Sequence, residues 1–350
     1  MRKSYRSLVK LMPILFLALI VGAGLGIFTF NQDYNVDAGW LYLTYLSVSY
    51  GIFIAASFAI AIIGGVFARN SKIVRFKDGY GFSKFASVLL TLVTFSLFLL
   101  EFYKLIMLGG IGFWRTLRMF LSLGASVNFL FMSLRRRFVS KHIPKNVRIG
   151  FSVVTVFWAI TSVFSIYFAQ NSVSLSNIVK ILLLLSYVAI TVFMFFEAKF
   201  KHIGPSHIAY TISALVSAVF GCAICFPIAI SIGLGKLVVD YTVMEFMVCF
   251  VVGIYAISRI SAMIATIRYT IKTRSDNDDL HSSKADKKVA EEKAEDVIAP
   301  KKAVEDEQSK AEEPKEAPKK QSTQSHKAKY AQYPKSKKSG AKKSPTKRKK

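Results

Sequence analysis

Acidic residues are scarce over most of this 350-residue chain: seven Asp and Glu fall within residues 1–274, against fourteen in residues 275–350. The first part also holds 26 of the 47 Lys and Arg, all 29 Phe, all three Trp and all three Cys, while the second part has neither Phe nor Trp. A formal charge of +26 would suggest a nucleic-acid binder in a soluble chain, but here the bases of the tail and the core-forming residues occupy different stretches. Three cysteines exclude a disulfide framework. Histidine is sparse as well. His142, His202, His207, His281 and His326 fall in predicted loops, at a helix end or in the tail, so no imidazole pair is placed for metal binding or a proton relay. Zinc-helix, phosphate-loop and nucleophile-elbow patterns are missing, no cofactor is implied, and enzyme chemistry is the least favoured class. Long connections are missing too: the longest between apolar stretches run about 10 to 16 residues, which leaves no room for an inserted soluble domain.

What is present is apolar sequence in runs long enough to cross the roughly 30 Å hydrocarbon layer as helices. Eight such runs lie near residues 11–30, 41–68, 85–108, 113–134, 149–169, 178–198, 207–234 and 242–267. The expected fold class is an all-α integral membrane protein, a bundle of about eight transmembrane helices over residues 1–274, with a disordered charged tail over residues 275–350. The first run exceeds the roughly 7 to 15 residues of a secretory h-region, which predicts an uncleaved first helix. The second is overlong and predicts tilt or a start in the interface. The fourth carries Arg115 and Arg118 in its first turns.

The connections sort by charge. Twenty Lys and Arg fall at the N-terminus, in the even-numbered connections and at the exit of the last span, whereas the other side has only Lys104, Arg115, Arg118, Lys180 and Lys236. Positive residues stay cytoplasmic during insertion, which predicts both termini inside and a multi-pass protein of the plasma membrane.

Apolar burial does not drive helices together in lipid; close backbone approach and cross-helix hydrogen bonds do. Gly22 with Gly26, Ala55 with Ala59, Ala61 with Gly65, and Ala214 with Ala218 place small residues one turn apart and predict internal contact faces. Intramembrane Ser and Thr can bond back to helix carbonyls, but Asn128 cannot do so fully and is expected to face another helix, as structural glue or as a ligand contact.

Two groups stand out as candidate sites. Glu101, Lys104, Arg115 and Arg118 gather where the third and fourth spans end and begin. They are expected at headgroup level, as an ion-pair set or, through Arg115 and Arg118 on one helix face, as a grip for an anion. The seventh span contains Cys222, Cys225 and Pro227; Pro227 lacks an amide hydrogen and crowds the carbonyl four residues back, so the helix should kink or unwind there. Such breaks expose backbone groups that transporters use, although a packing kink needs the same residues. The CxxC spacing also permits thiol exchange, which apolar surroundings disfavour. Glu197 near an inner helix end and Glu245 near an outer one imply no paired buried carboxylates, and Arg259 is expected to snorkel to the cytoplasm.

The tail is a block polyampholyte. Residues 275–316 carry 8 bases and 14 acids, and residues 317–350 carry 13 bases and no acid. Its lysine-rich end is expected to meet anionic lipid, and less readily RNA or DNA. The bilayer and partner membrane helices are the other partners implied, and the oligomeric state is left open. Three functions follow: a non-catalytic membrane scaffold or sensor acting through the tail, a small-solute or lipid transporter or flippase, and, least, a membrane-embedded thiol enzyme.

Overall fold

The computed structural model describes residues 2–35, 39–70, 81–108, 112–134, 136–168, 177–204, 206–237 and 242–269. Two compact units divide the chain, Met1–Asp286 and Lys287–Lys350, and the second lies wholly outside the described residues, as do the rest of the tail and the basic connection 71–80.

Eight of the helices are long and apolar enough to cross a membrane, and this is a multi-pass membrane protein. They are α1 (Arg2–Gln32), α2 (Tyr45–Phe67), α3 (Gly81–Leu108), α4 (Phe113–Ser133), α6 (Lys145–Tyr167), α7 (Ile178–His202), α8 (His207–Gly233) and α9 (Val243–Tyr269), with α5 (Arg136–His142) a short helix between α4 and α6. Every span overlaps a predicted one. The second begins later than expected: residues 41–44 are not helical, because Leu41 closes a two-stranded ladder and Thr44 caps α2. The Thr44 hydroxyl accepts from Ser47 N–H at 3.2 Å, and Ser47 Oγ accepts from Thr44 N–H at 3.0 Å, a reciprocal cap that fixes where the helix begins.

The spans alternate in direction, and the end at which α1 begins is termed the base, the other the top. At the top, β1 (Tyr34–Asn35) pairs antiparallel with β2 (Trp40–Leu41). This hairpin grips the start of α7: Ile178 N–H donates to the Gly39 carbonyl at 2.9 Å, and Asn177 Nδ2 donates to the Tyr34 hydroxyl at 2.9 Å.

Helices α8 and α9 are the most buried of the set and α1 and α2 the least. α9 touches three neighbours: Tyr255 packs on Phe129 of α4 and on Phe193 of α7, and Phe250 stacks on Phe226 of α8. Small residues set the closest crossings. Gly22 and Gly26 of α1, Ala61 and Gly65 of α2, and Ala214 and Ala218 of α8 are all buried. Ala55 and Ala59 are instead exposed, a correction to the internal contact expected of them, since α2 turns its other face, through Ser57, Ala61, Gly64 and Gly65, toward the bundle. Phe16, Leu17, Ile52, Phe85, Phe120 and Phe157 are likewise exposed, as suits surfaces facing acyl chains.

Candidate functional site: two buried charge clusters

Near the top, Glu101 of α3 and Glu245 of α9 both hold Arg118 of α4. Arg118 Nη2 donates to Glu101 Oε1 and, at 3.1 Å, to Glu245 Oε1. Arg118 is 0% exposed and Glu101 2%, so the ion pair expected of Glu101 is made with Arg118 and lies between helices, not on the protein surface. The reason is the second carboxylate: Glu245 begins α9 beside α4, so the guanidinium finds more stabilisation inward than in solvent. Tyr187 of α7 donates its hydroxyl to the Glu245 backbone carbonyl at 3.4 Å, tying a fourth helix to the group. Lys104 and Arg115 are half-buried and, among the described residues, form no ion pair. With two carboxylates already on Arg118, a third anion would meet repulsion, so the arrangement does not favour the anion grip of Arg115 and Arg118.

Near the base lies a second cluster that hydropathy did not reveal. Glu197 of α7 is 2% exposed, and both of its oxygens are engaged: Arg259 Nη2 lies 2.7 Å and the Tyr255 hydroxyl 3.1 Å from Oε1, and the Tyr210 hydroxyl lies 2.7 Å from Oε2. Arg259, half-buried with 18% of its side chain exposed, turns its guanidinium to Glu197, because a buried carboxylate on α7 offers it a charge-assisted bond. The expectation of no paired buried carboxylates is overturned, by Glu101 and Glu245 on one guanidinium. Tyr255 and Arg259 stand one turn apart on α9, the spacing at which two side chains share a face. That spacing was visible in the sequence, but the rotation of α7 toward it was not.

A polar chain joins α4, α6 and α7 at the base. Asn128 Nδ2 donates to Thr155 Oγ1 at 2.9 Å, Ser152 Oγ lies 3.4 Å from Asn128 Oδ1, and His202 Nε2 lies 3.0 Å from Ser152 Oγ.

Between the two clusters, α8 is irregular. It is α-helical over His207–Ala218, π-helical over Val219–Cys225 and α-helical again from Phe226. Pro227 has no N–H to give the Ala223 carbonyl, and the Tyr50 hydroxyl of α2 donates to that carbonyl instead, at 2.9 Å. Gly26 makes room for this: a Cβ there would lie 2.8 Å from Pro227 Cγ and 2.9 Å from Tyr50 Cε2. On its other side the π segment meets α9 backbone to backbone, for a Cβ on Gly221 would lie 2.4 Å from the Cys249 carbonyl oxygen and 2.9 Å from Gly253 Cα. The thiols of Cys222, Cys225 and Cys249 are free; Cys225 donates to Ser186 Oγ at 3.1 Å.

Compared with protein-family models, curated proteins and solved structures, the chain matches none. The functional reading therefore rests on geometry. Among the described residues, no group of three or more His, Cys, Asp or Glu is arranged to hold a metal ion. What the arrangement offers is two charge clusters at opposite ends of the bundle, both sharing α9, with a break in α8 between them.

Proposed function

We propose that this protein is a carrier for a small polar solute, with its base toward the cytoplasm of the plasma membrane, and that the two buried charge clusters close its top and base in turn. One observation carries this reading: α9 bears a member of each cluster, Glu245 at the top and Arg259 near the base, fourteen residues or about 21 Å apart. Ionised side chains inside a membrane domain cost several kcal/mol unless paired, and they concentrate where a pathway needs them. Gly253 lies eight residues from Glu245 and six from Arg259, so the side-chain-free crossing with Gly221 stands near the midpoint of the lever. A helix pivoting there separates one ion pair while keeping the other, and the π segment of α8 absorbs the shift because its hydrogen bonding is already relaxed. The excess of bases in the connections on the base side supports the orientation.

Single cysteines placed beside Glu245 and beside Arg259, in a chain whose three native cysteines are replaced by Ala, test this with membrane-impermeant thiol reagents on sealed vesicles. The Arg118→Gln change should raise labelling at the top and lower it at the base, and Glu197→Gln should do the reverse. Unchanged labelling in both variants removes the carrier reading.

A second reading has its own support. Thirteen bases without an acid over residues 317–350 suit a scaffold or sensor whose tail meets anionic lipid, or less readily RNA or DNA. Deleting residues 275–350 should abolish the phenotype and leave thiol labelling untouched if that role dominates.

A further inference from the structure

The two clusters differ in charge balance. At the base, one guanidinium meets one carboxylate, and two tyrosine hydroxyls also donate to that carboxylate, so both of its oxygens are engaged. At the top, one guanidinium meets two carboxylates, a formal excess of one negative charge, and among the described residues no second base lies within ion-pair distance of either. The bonding is also incomplete. A single nitrogen, Arg118 Nη2, serves both acids, while Glu101 Oε2, Arg118 Nε and Arg118 Nη1 are buried without a hydrogen-bond partner. Uncompensated charge and unmet polar atoms are each costly in a water-poor interior, and here they coincide in one place.

We infer that the Glu101–Arg118–Glu245 group is a binding site for a monovalent cation, either an inorganic ion or the ammonium group of an organic amine. The proposal extends the carrier reading by naming the class of ion held at its top. Glu101 Oε2 supplies an empty acceptor, and the two carboxylates lie within about 6 Å of each other because both reach one nitrogen. A small cation set between them cancels the excess charge, and an oxygen carried with it, of water or of the solute, can accept from Arg118 Nε and Nη1. Glu245 gives the way in: its side chain retains 8% exposure against 2% for Glu101, in the first turn of α9. Hard oxygen ligands of single net charge suit a monovalent ion, and the absence of a three-ligand group among the described residues directs the class away from transition metals. Tyr187 closes the inner side through the Glu245 carbonyl, and its ring lies fully buried.

The test is thermal unfolding of the purified full-length protein in detergent, in sodium, potassium or methylammonium chloride at one ionic strength, with N-methylglucamine chloride as the bulky reference. At about ten times its Kd, the ion that fits should raise Tm by roughly 3 °C in a saturable way, and the rise should vanish in Glu101→Gln and in Glu245→Gln. A rise in sodium or potassium identifies an inorganic ion, and one in methylammonium alone identifies an amine. Equal Tm in all four salts, meaning water only at the site, overturns the proposal, as does a rise that survives both substitutions. Should Glu101→Gln not fold, Glu245→Gln and a cation titration of wild-type Trp114 fluorescence, one turn from Arg118, keep the question decidable. Thiol labelling separates the two ideas: a cation-dependent Tm with unresponsive labelling keeps the site and removes the carrier, and the converse result keeps the carrier and removes the ion.

Discussion

The base cluster engages both oxygens of its carboxylate, where the top cluster leaves one carboxylate oxygen unpaired. Both oxygens of Glu197 are met, by Arg259, Tyr255 and Tyr210, at distances of 2.7 to 3.1 Å. At the top, two acids compete for one nitrogen of Arg118, and three polar atoms go unmet. The contrast teaches that burial of charge in this bundle takes two forms. One satisfies both oxygens of its carboxylate and fastens α7, α8 and α9 together; the other gathers α3, α4 and α9 around one guanidinium shared by two carboxylates.

The sharpest way to break that comparison is to remove one base-cluster partner. Arg259→Met should destabilise the protein by about 3–5 kcal/mol in equilibrium unfolding, because Glu197 is left buried with hydroxyl partners alone, and adding Glu197→Gln should recover most of the loss. Tyr50→Phe should cost about 1–2 kcal/mol by orphaning the Ala223 carbonyl, and close to nothing in a Pro227→Ala background, where residue 227 can donate again. Glu101→Gln should cost under about 1 kcal/mol, since Arg118 keeps Glu245 and a one-to-one balance; a loss as large as that of Arg259→Met would erase the distinction between the clusters. Asn128→Leu should cost roughly 0.6 kcal/mol, the usual worth of a cross-helix hydrogen bond in a membrane. Ala55→Leu, on an exposed face, should stay within about 0.5 kcal/mol.

The eight spans were legible because crossing hydrocarbon demands length and apolarity, two quantities that survive without knowledge of neighbours. Two of the three residues of the top cluster were legible for a similar reason: Glu101 and Arg118 lie seventeen residues apart across one short connection. Glu245 was not, since it arrives from a helix 127 residues away and nothing local marks its partner. The base cluster was missed because depth along a helix can be read from sequence but rotation about its axis cannot. Glu197 and Arg259 near helix ends look like groups reaching for water, and only the packing of α7 against α9 turns them toward each other. Ala55 and Ala59 failed in the same way, as a small-residue spacing indicates a possible contact face without saying whether another helix occupies it.

The separation of partners along the chain also bears on how the bundle is made. During synthesis, Arg118 leaves the ribosome when Glu101 is already present, so α3 and α4 can enter the bilayer as a charge-paired hairpin long before Glu245 exists. Glu197 likewise meets Tyr210 only thirteen residues later, well ahead of Tyr255 and Arg259. Each early acid thus has a nearby chaperone within its own chain, and α9, last to arrive, completes both assemblies in a single docking step.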